Sequence, residues 1–431
     1  MKFISLRGQS QPCSISEAIL GGLASDGGLL VPDSWPQFKV NPAWANLDFY
    51  EFAALILAPF FAGDALATRL NEICRRAFDF AVPLKNLDQS RSILELFHGP
   101  TGAFKDFGAR FLALCCDAIP DPRAKDRLVL VATSGDTGGA VAAAFFDCTK
   151  IPVGILYPKN GVSFRQEKQL TVWGDRVRAF SVHGSFDDCQ SIVKQALAEG
   201  SWKTRYQLIS ANSINLGRLL PQMAYFAYAS LKYKVQHGID PIVIIPSGNM
   251  GNATAALWAL YLGFPLRKVL FTHNANRAVP NYFDTSVWNP QATIPTIANA
   301  MDVGNPSNFE RVRKLFASDV ELKKVASAIS VSDEEICRTI KAANEKWGEV
   351  VCPHTATAIF AGLQLSDANW IAVATAHPAK FESIIEPLLG KTIAIPENLQ
   401  LLLSRPGKNY EIEATLRSLE KTMGTWAQAS R

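Results

Sequence analysis

The chain has 431 residues, 48% of them hydrophobic and 19% charged, with a formal net charge of +4. That length exceeds one ordinary core and predicts two or three domains, and its dispersed lysines and arginines form no basic stripe for nucleic acid. The most apolar run, FAALILAPFFAG at 52–63, is too short to cross a bilayer, so neither nucleic acid nor membrane is an expected partner.

The opening MKFISLRGQSQPCSISEAIL lacks a sustained apolar stretch with a small-residue cleavage pattern, and no secretory signal is expected. Residues 1–95, rich in Pro, Trp and turn chemistry such as GLASDGGLLVPDSWP, read as a separate N-terminal region. Eight cysteines are scattered through apolar segments without a CxxC pair or a Cys/His ladder, so reduced thiols in a cytoplasmic protein are expected and a metal site is not.

FHGPTGAFKDFGARF at 97–111 carries one lysine, Lys105, just past a turn and at the head of apolar residues at helical spacing. A helix start and burial both disfavour an ammonium group there, which makes a neutral, nucleophilic amine accessible near pH 7. The alternative is a surface lysine whose stem snorkels along apolar neighbours.

From about residue 128 short β-branched runs alternate with amphipathic stretches. LVLVAT (128–133) precedes SGDTG and a helix, and IPVGILYP (151–158) precedes SFRQEKQLTVWG. RVRAFSVHG precedes FDDCQSIVKQALAEG, PIVIIP (241–246) precedes SGNMGN and ATAALWALYLG, and IAVATA precedes HPAKFESIIEPLL. Continuous apolar strands alternating with helices predict an α/β protein with open, mostly parallel sheets flanked by helices. Ser332 and Glu335 predict a capping box for a helix over 333–347. The proline-rich stretch 274–310 reads as a lid, a site wall or a plain surface excursion.

SGNMGN at 247–252 joins a buried strand to a helix, where Gly248 and Gly251 allow close approach and helix-start N–H groups face an anion. It is a phosphate cradle or an ordinary βα turn. No P-loop accompanies it, since the GKT at 390–392 has Ile385 where a glycine is required, and GxGxxG is absent. In SGDTG (134–138), Ser134 and Thr137 offer hydroxyls for a carboxylate, while Asp136 needs a neutral or cationic partner. In ANSINLGRLLPQ (211–222), Asn212, Ser213 and Arg218 make an anion clamp or simply a capped helix. The six histidines show no HExxH pair; His98 and His377 lie beside the other motifs.

Together GLASDGGLLVPDSW, ELFHGPTGAFKDFGARF, ATSGDTGGA, ANSINLGRLLPQ, PSGNMGNATA, NAMDVGNPSN, PHTATA and ATAHPAKF, in this order and spacing, resemble the threonine synthase family of pyridoxal-phosphate enzymes, fold type II. The resemblance implies two α/β domains beyond the N-terminal region: a smaller one over 96–215 with the cofactor lysine and carboxylate loop, and a larger one over 216–431 with the phosphate loop. It implies that Lys105 carries pyridoxal phosphate in Schiff-base linkage and serves as the catalytic base. Gly248, Asn249, Met250, Gly251 and Asn252 would hold the cofactor phosphate, Thr375 would meet the pyridine nitrogen, and Asp136 would lie near the phenolic oxygen. Ser134 and Thr137 would bind the substrate carboxylate, and Asn212, Ser213 and Arg218 the phosphate of O-phosphohomoserine. Gly102 and Arg110 are less usual for the family, and His98 is a further candidate base. The implied enzyme is a monomer or homodimer that forms threonine. A Ser/Thr dehydratase or a phospho-lyase is the rival on the same scaffold.

Overall fold

Two parallel sheets organise the chain, seen in a computed structural model that describes residues 1–120, 126–133, 135–149, 151–367, 369–424 and 426. The larger sheet runs Ala326–Ser330, Lys268–His273, Ile242–Pro246, Trp370–Ala374, Arg91–Glu95 and Leu84–Asn86, with only the last strand antiparallel. The smaller sheet runs Asn409–Glu413, Val177–His183, Val153–Pro158, Asp126–Ala132 and Tyr206–Ser210, all parallel. The central strands IVIIP and WIAVA are buried at every position, as expected of strands covered on both faces.

The predicted α/β architecture with its N-terminal extra region is the one found, but the sheets do not follow the contiguous boundaries expected at 95/96 and 215/216. Arg91–Glu95 and Leu84–Asn86, inside the expected N-terminal region, belong to the larger sheet. Asn409–Glu413 returns from the expected larger domain to the edge of the smaller sheet. The reason is pairing: Arg91–Glu95 lies beside Trp370–Ala374 in full register, and Asn409–Glu413 pairs with Ala179–His183. Arg91–Glu95 is charged at both ends and Asn409–Glu413 carries Glu411 and Glu413, so neither forms an apolar run.

The N-terminal region contributes a small antiparallel pair, Phe3–Ser5 with Leu30–Pro32, and the helices Ile15–Gly21, Phe49–Phe61 and Leu70–Ala77. Its aromatic side chains pack on the helix Lys105–Ala118. Phe107 meets Phe49 at 5.7 Å and Phe80 at 4.7 Å between ring centroids, and Phe111 stacks on Phe78 at 6.0 Å. Arg110 ties that helix down by donating to the Ala77 carbonyl at 3.0 Å and pairing with Asp79 at 2.7 Å. The helix Asp333–Trp347 begins with the predicted Ser332–Glu335 capping box. All eight cysteines are free thiols. Among the described residues no helix is long and apolar enough to cross a membrane.

Candidate active site

The carboxyl ends of three strands, Asp126–Ala132, Ile242–Pro246 and Trp370–Ala374, open on one cavity of about 180 Å³. A single water needs roughly 10–15 Å³, so the cavity has room for an organic ligand. In parallel α/β sheets this end is where ligands bind. Lys105, Asp136, Thr137, Asn212, Ser213, Arg218, Gly248, Asn249, Met250, Gly251, Asn252 and Thr375 all line it. Ser134 lies outside the described residues.

Lys105 is the first residue of its helix, after Phe104 at the N-cap. The turn before it is fixed to the larger sheet: Phe104 N–H donates to the Thr375 carbonyl at 2.9 Å, and His377 N–H donates to the Gly102 carbonyl at 2.9 Å. Gly102 adopts a φ of +67°, which explains a glycine there. The Lys105 amine is pulled down to about 8, first by burial, against the attraction of Asp136 and with help from Arg218 and Lys380. The snorkelling alternative is excluded by its place in the cavity.

The 247–252 loop has the shape of a cradle. A Cβ on Gly248 would lie 2.9 Å from the Ala300 carbonyl oxygen and from Met301 Cα, so only glycine fits. Met250 adopts the left-handed conformation, φ 62° and ψ 8°, which costs a non-glycine residue energy and turns its neighbours' N–H groups inward. Asn249 donates to Ser213 Oγ at 2.8 Å and accepts from Ser307 N–H at 2.6 Å. Tyr225 donates its hydroxyl hydrogen to Asn252 Oδ1, and Asn252 Nδ2 is buried without a partner.

Opposite, Thr133 Oγ1 accepts from Gly135 N–H at 3.0 Å and Gly138 N–H at 2.9 Å, holding the start of the helix Asp136–Cys148. Asp136, its first residue, meets Lys380 Nζ at 2.9 Å, with side chains 4% and 1% exposed. Burial opposes the Asp136 charge, but Lys380 first and then Lys105 hold the carboxyl well below its usual range. Asp136 is therefore an ionised carboxylate. Arg218 is fully buried; its Nη1 donates to the Ala211 carbonyl, while its Nε has no partner. Asn212 Oδ1 is likewise unpaired. An unpartnered guanidinium N–H in a cavity invites an anion.

The pyridoxal-phosphate dependent enzyme family matches residues 91–374, the threonine synthase N terminus matches 2–78, and the threonine synthase C-terminal family matches 355–423. Threonine synthase of Escherichia coli is 37% identical over 98% of this chain and 99% of its own length. The chain belongs to the threonine synthase family. The crystal structure of the Escherichia coli threonine synthase has a TM-score of 0.90 at 36% identity, covering 98% of this chain and 99% of the other. A pyridoxal-phosphate-bound threonine synthase from Brucella melitensis has a TM-score of 0.91 at 29% identity, covering both chains completely.

The residues of this threonine synthase family member fit the family's cofactor. The glycine cradle and the orphaned Asn252 Nδ2 suit a phosphate, and Lys105 offers an amine of lowered basicity to an aldehyde. His98 departs from expectation: it is absent from the cavity lining and pairs with Glu95 at 2.7 Å. The strand Arg91–Glu95 sets Glu95 beside it and holds both away from the site. The histidine lining the cavity is His354, kept neutral down to about 4 by burial, its Nε2 accepting from Ala300 N–H at 3.1 Å. Part of the 274–310 stretch, from Ala300 to Ser307, forms a site wall. Lys380, His354, Thr133 and Tyr225 escaped sequence reasoning, although HPAKF and PHTATA, which carry two of them, were visible as motifs.

Proposed function

We propose that the chain converts O-phospho-L-homoserine and water to L-threonine and inorganic phosphate. The observation carrying this reading is one cavity that sets a reactive lysine beside the 247–252 cradle and beside a buried Arg218 whose Nε has no partner. Arg218, with Asn212 and Ser213, extends the cradle as a second set of polar groups, joined to it where Asn249 donates to Ser213 Oγ. A dehydratase acting on an unphosphorylated hydroxyamino acid has no use for the second set, and full-length kinship with threonine synthases favours the same choice.

Bound pyridoxal phosphate supplies an electron sink for negative charge developing at the substrate's α-carbon. In this reading Gly248, Asn249, Met250, Gly251 and Asn252 hold its phosphate, and the Thr375 hydroxyl meets the ring nitrogen without adding a full negative charge. Thr137, with Ser134, binds the substrate carboxylate. Arg218, Asn212 and Ser213 hold the substrate phosphate in line for departure from Cγ. Lys105 Nζ would take a proton from Cα and one from Cβ as phosphate leaves Cγ, and would return protons to Cγ, which becomes the methyl group, and to Cα, while water adds its hydroxyl at Cβ. One amine serves several steps because its lowered basicity lets it both take and return a proton near neutral pH. The wall of Ala300, Met301, Asp302 and Val303 excludes bulk water, which would divert the substrate to an oxo acid and ammonia.

The reaction belongs in the cytoplasm, in keeping with eight free thiols, and a monomer or homodimer suffices for it without nucleic acid. Incubation with pyridoxal phosphate and O-phosphohomoserine tests the reading: threonine and phosphate should appear in equal amounts. Release of 2-oxobutyrate and ammonia in place of threonine would overturn it.

A further inference from the structure

A second buried amine, outside the cavity lining, pairs with Asp136 of that lining and is not used by the proposed reaction. Lys380 sits in the turn Pro378–Phe381, directly after the strand that ends at Ala374, and its side chain is almost completely buried. The turn is well fixed. His377 Nδ1 accepts from Ala379 N–H at 3.1 Å, and Arg165 donates to the Ala379 carbonyl and pairs with Glu382 at 3.2 Å. Lys380 Nζ has two partners, Asp136 Oδ1 at 2.9 Å and the Thr101 carbonyl oxygen at 2.8 Å. Gln166 Nε2 donates to the same Asp136 oxygen at 3.2 Å. Lys105 Nζ, by contrast, has no hydrogen-bond or ion-pair partner among the described residues, although Asp136 lines the same cavity.

A buried carboxylate pairs with whichever ammonium geometry brings to it. Lys105 and Asp136 line the cavity, Lys380 reaches Asp136 from outside it, and the one carboxylate acts on both amines. Resting on the functional reading above, we propose that Lys380 is a positioning residue: by holding the Asp136 carboxylate, it prevents that carboxylate from pairing with Lys105 and leaves the Lys105 amine free to react. The charges facing Lys105 are Asp136 on its helix, Arg218 on the helix Leu216–His237, and Lys380 on its turn; His354 is neutral. Removing Lys380 therefore acts on Lys105 twice in the same direction, taking away one positive neighbour and releasing one negative one. The proposed reaction gives Lys380 no role as a second base: it lies outside the cavity lining, with two of its three N–H donors on Asp136 and the Thr101 carbonyl.

The test reads the Lys105 amine directly in the full chain without cofactor. Trace acetylation with acetic anhydride across a pH series, with the Lys105 peptide quantified by mass spectrometry, gives the midpoint at which the amine becomes reactive. The unaltered protein should show it near 8. Lys380→Met should raise the midpoint by about one pH unit or more, slowing labelling at pH 7 about tenfold. Lys380→Arg, which keeps the charge, should leave it in place. Adding Asp136→Asn to Lys380→Met should return it to the native value or below, because the released carboxylate is then gone. If Lys380→Met fails to fold, Lys380→Gln reads the same quantity. A Lys380→Met or Lys380→Gln midpoint that is unchanged or lower, or a double variant that stays raised, would overturn the proposal. The readout needs neither cofactor nor substrate, so a failed threonine assay would leave it intact, and its own failure would not touch the identity of the product.

Discussion

Lys380 Nζ and Asp136 Oδ1 meet at 2.9 Å at the edge of the cavity that Asp136 lines, joining the turn after one strand of the larger sheet to the first residue of a helix of the smaller-sheet unit. The contact makes Asp136 a carboxylate and gives the site a fixed charge pattern before any ligand enters. An Asp at this position beside a cofactor oxygen would repel it; beside Lys380 the carboxylate is neutralised.

Cofactor capture by the empty protein should rise with pH. In the proposed reaction a neutral Lys105 would be the nucleophile, and its amine is pulled down to about 8, chiefly by burial. The capture rate should fall about tenfold for each pH unit below that midpoint and level off above it. His354, neutral above about 4, adds no limb, and Asp302, lifted to about 6 by burial, is ionised before the Lys105 limb is complete. Stopped-flow absorbance on mixing with pyridoxal phosphate measures the profile; a flat rate between pH 6 and about 9 would contradict the assignment.

Gly248→Ala should loosen the cofactor. The added Cβ would meet backbone atoms of Ala300 and Met301 at 2.9 Å, and backbone cannot rotate away as a side-chain tip can. Overpacking of this kind costs about 1–3 kcal/mol, or roughly a 5- to 150-fold weaker Kd if the loop bears it. Fluorescence titration with pyridoxal phosphate measures this; an unchanged Kd would show that the loop does not approach the ligand.

Much of this site was legible in the sequence because the chemistry lies in short stretches. FKDF, SGNMGN and ANSINLGR each carry their functional groups within a few residues, and a strand–turn–helix context marks them as loops facing one end of a sheet. Lys380 was not legible, because its partner lies far away in the chain and only the stacking of two units brings them together. His98 misled for the same reason in reverse: it lies next to the lysine motif in sequence, yet Glu95 draws it out of the cavity. The strand Arg91–Glu95 buries only three residues between its charged ends, and Asn409–Glu413 buries only Ile412, between Glu411 and Glu413, so neither shows as an apolar run.

Arg311→Met should destabilise the fold and weaken the phosphate loop together. The buried Arg311 guanidinium donates to the Leu30 carbonyl at 2.9 and 3.1 Å, to the Ile214 carbonyl at 2.8 Å and to Asn308 Oδ1 at 2.6 Å. Asn308 in turn donates to the Asn249 carbonyl at 3.0 Å. One side chain thus links the N-terminal region to the loops carrying Ser213 and Asn249. Losing it leaves buried carbonyls unsatisfied, at a cost of about 3–5 kcal/mol. Thermal unfolding and cofactor titration should both shift; a variant with a native melting midpoint would contradict this role.

The fold should present the cofactor to Lys105, which lines the cavity, and not to Lys380, the buried amine paired with Asp136. Borohydride reduction of the protein loaded with pyridoxal phosphate fixes the cofactor to whichever amine holds it, and peptide mass spectrometry then reads the position. A pyridoxyl group on Lys105 alone is the expected result. A tag on Lys380, or none on either, would contradict it.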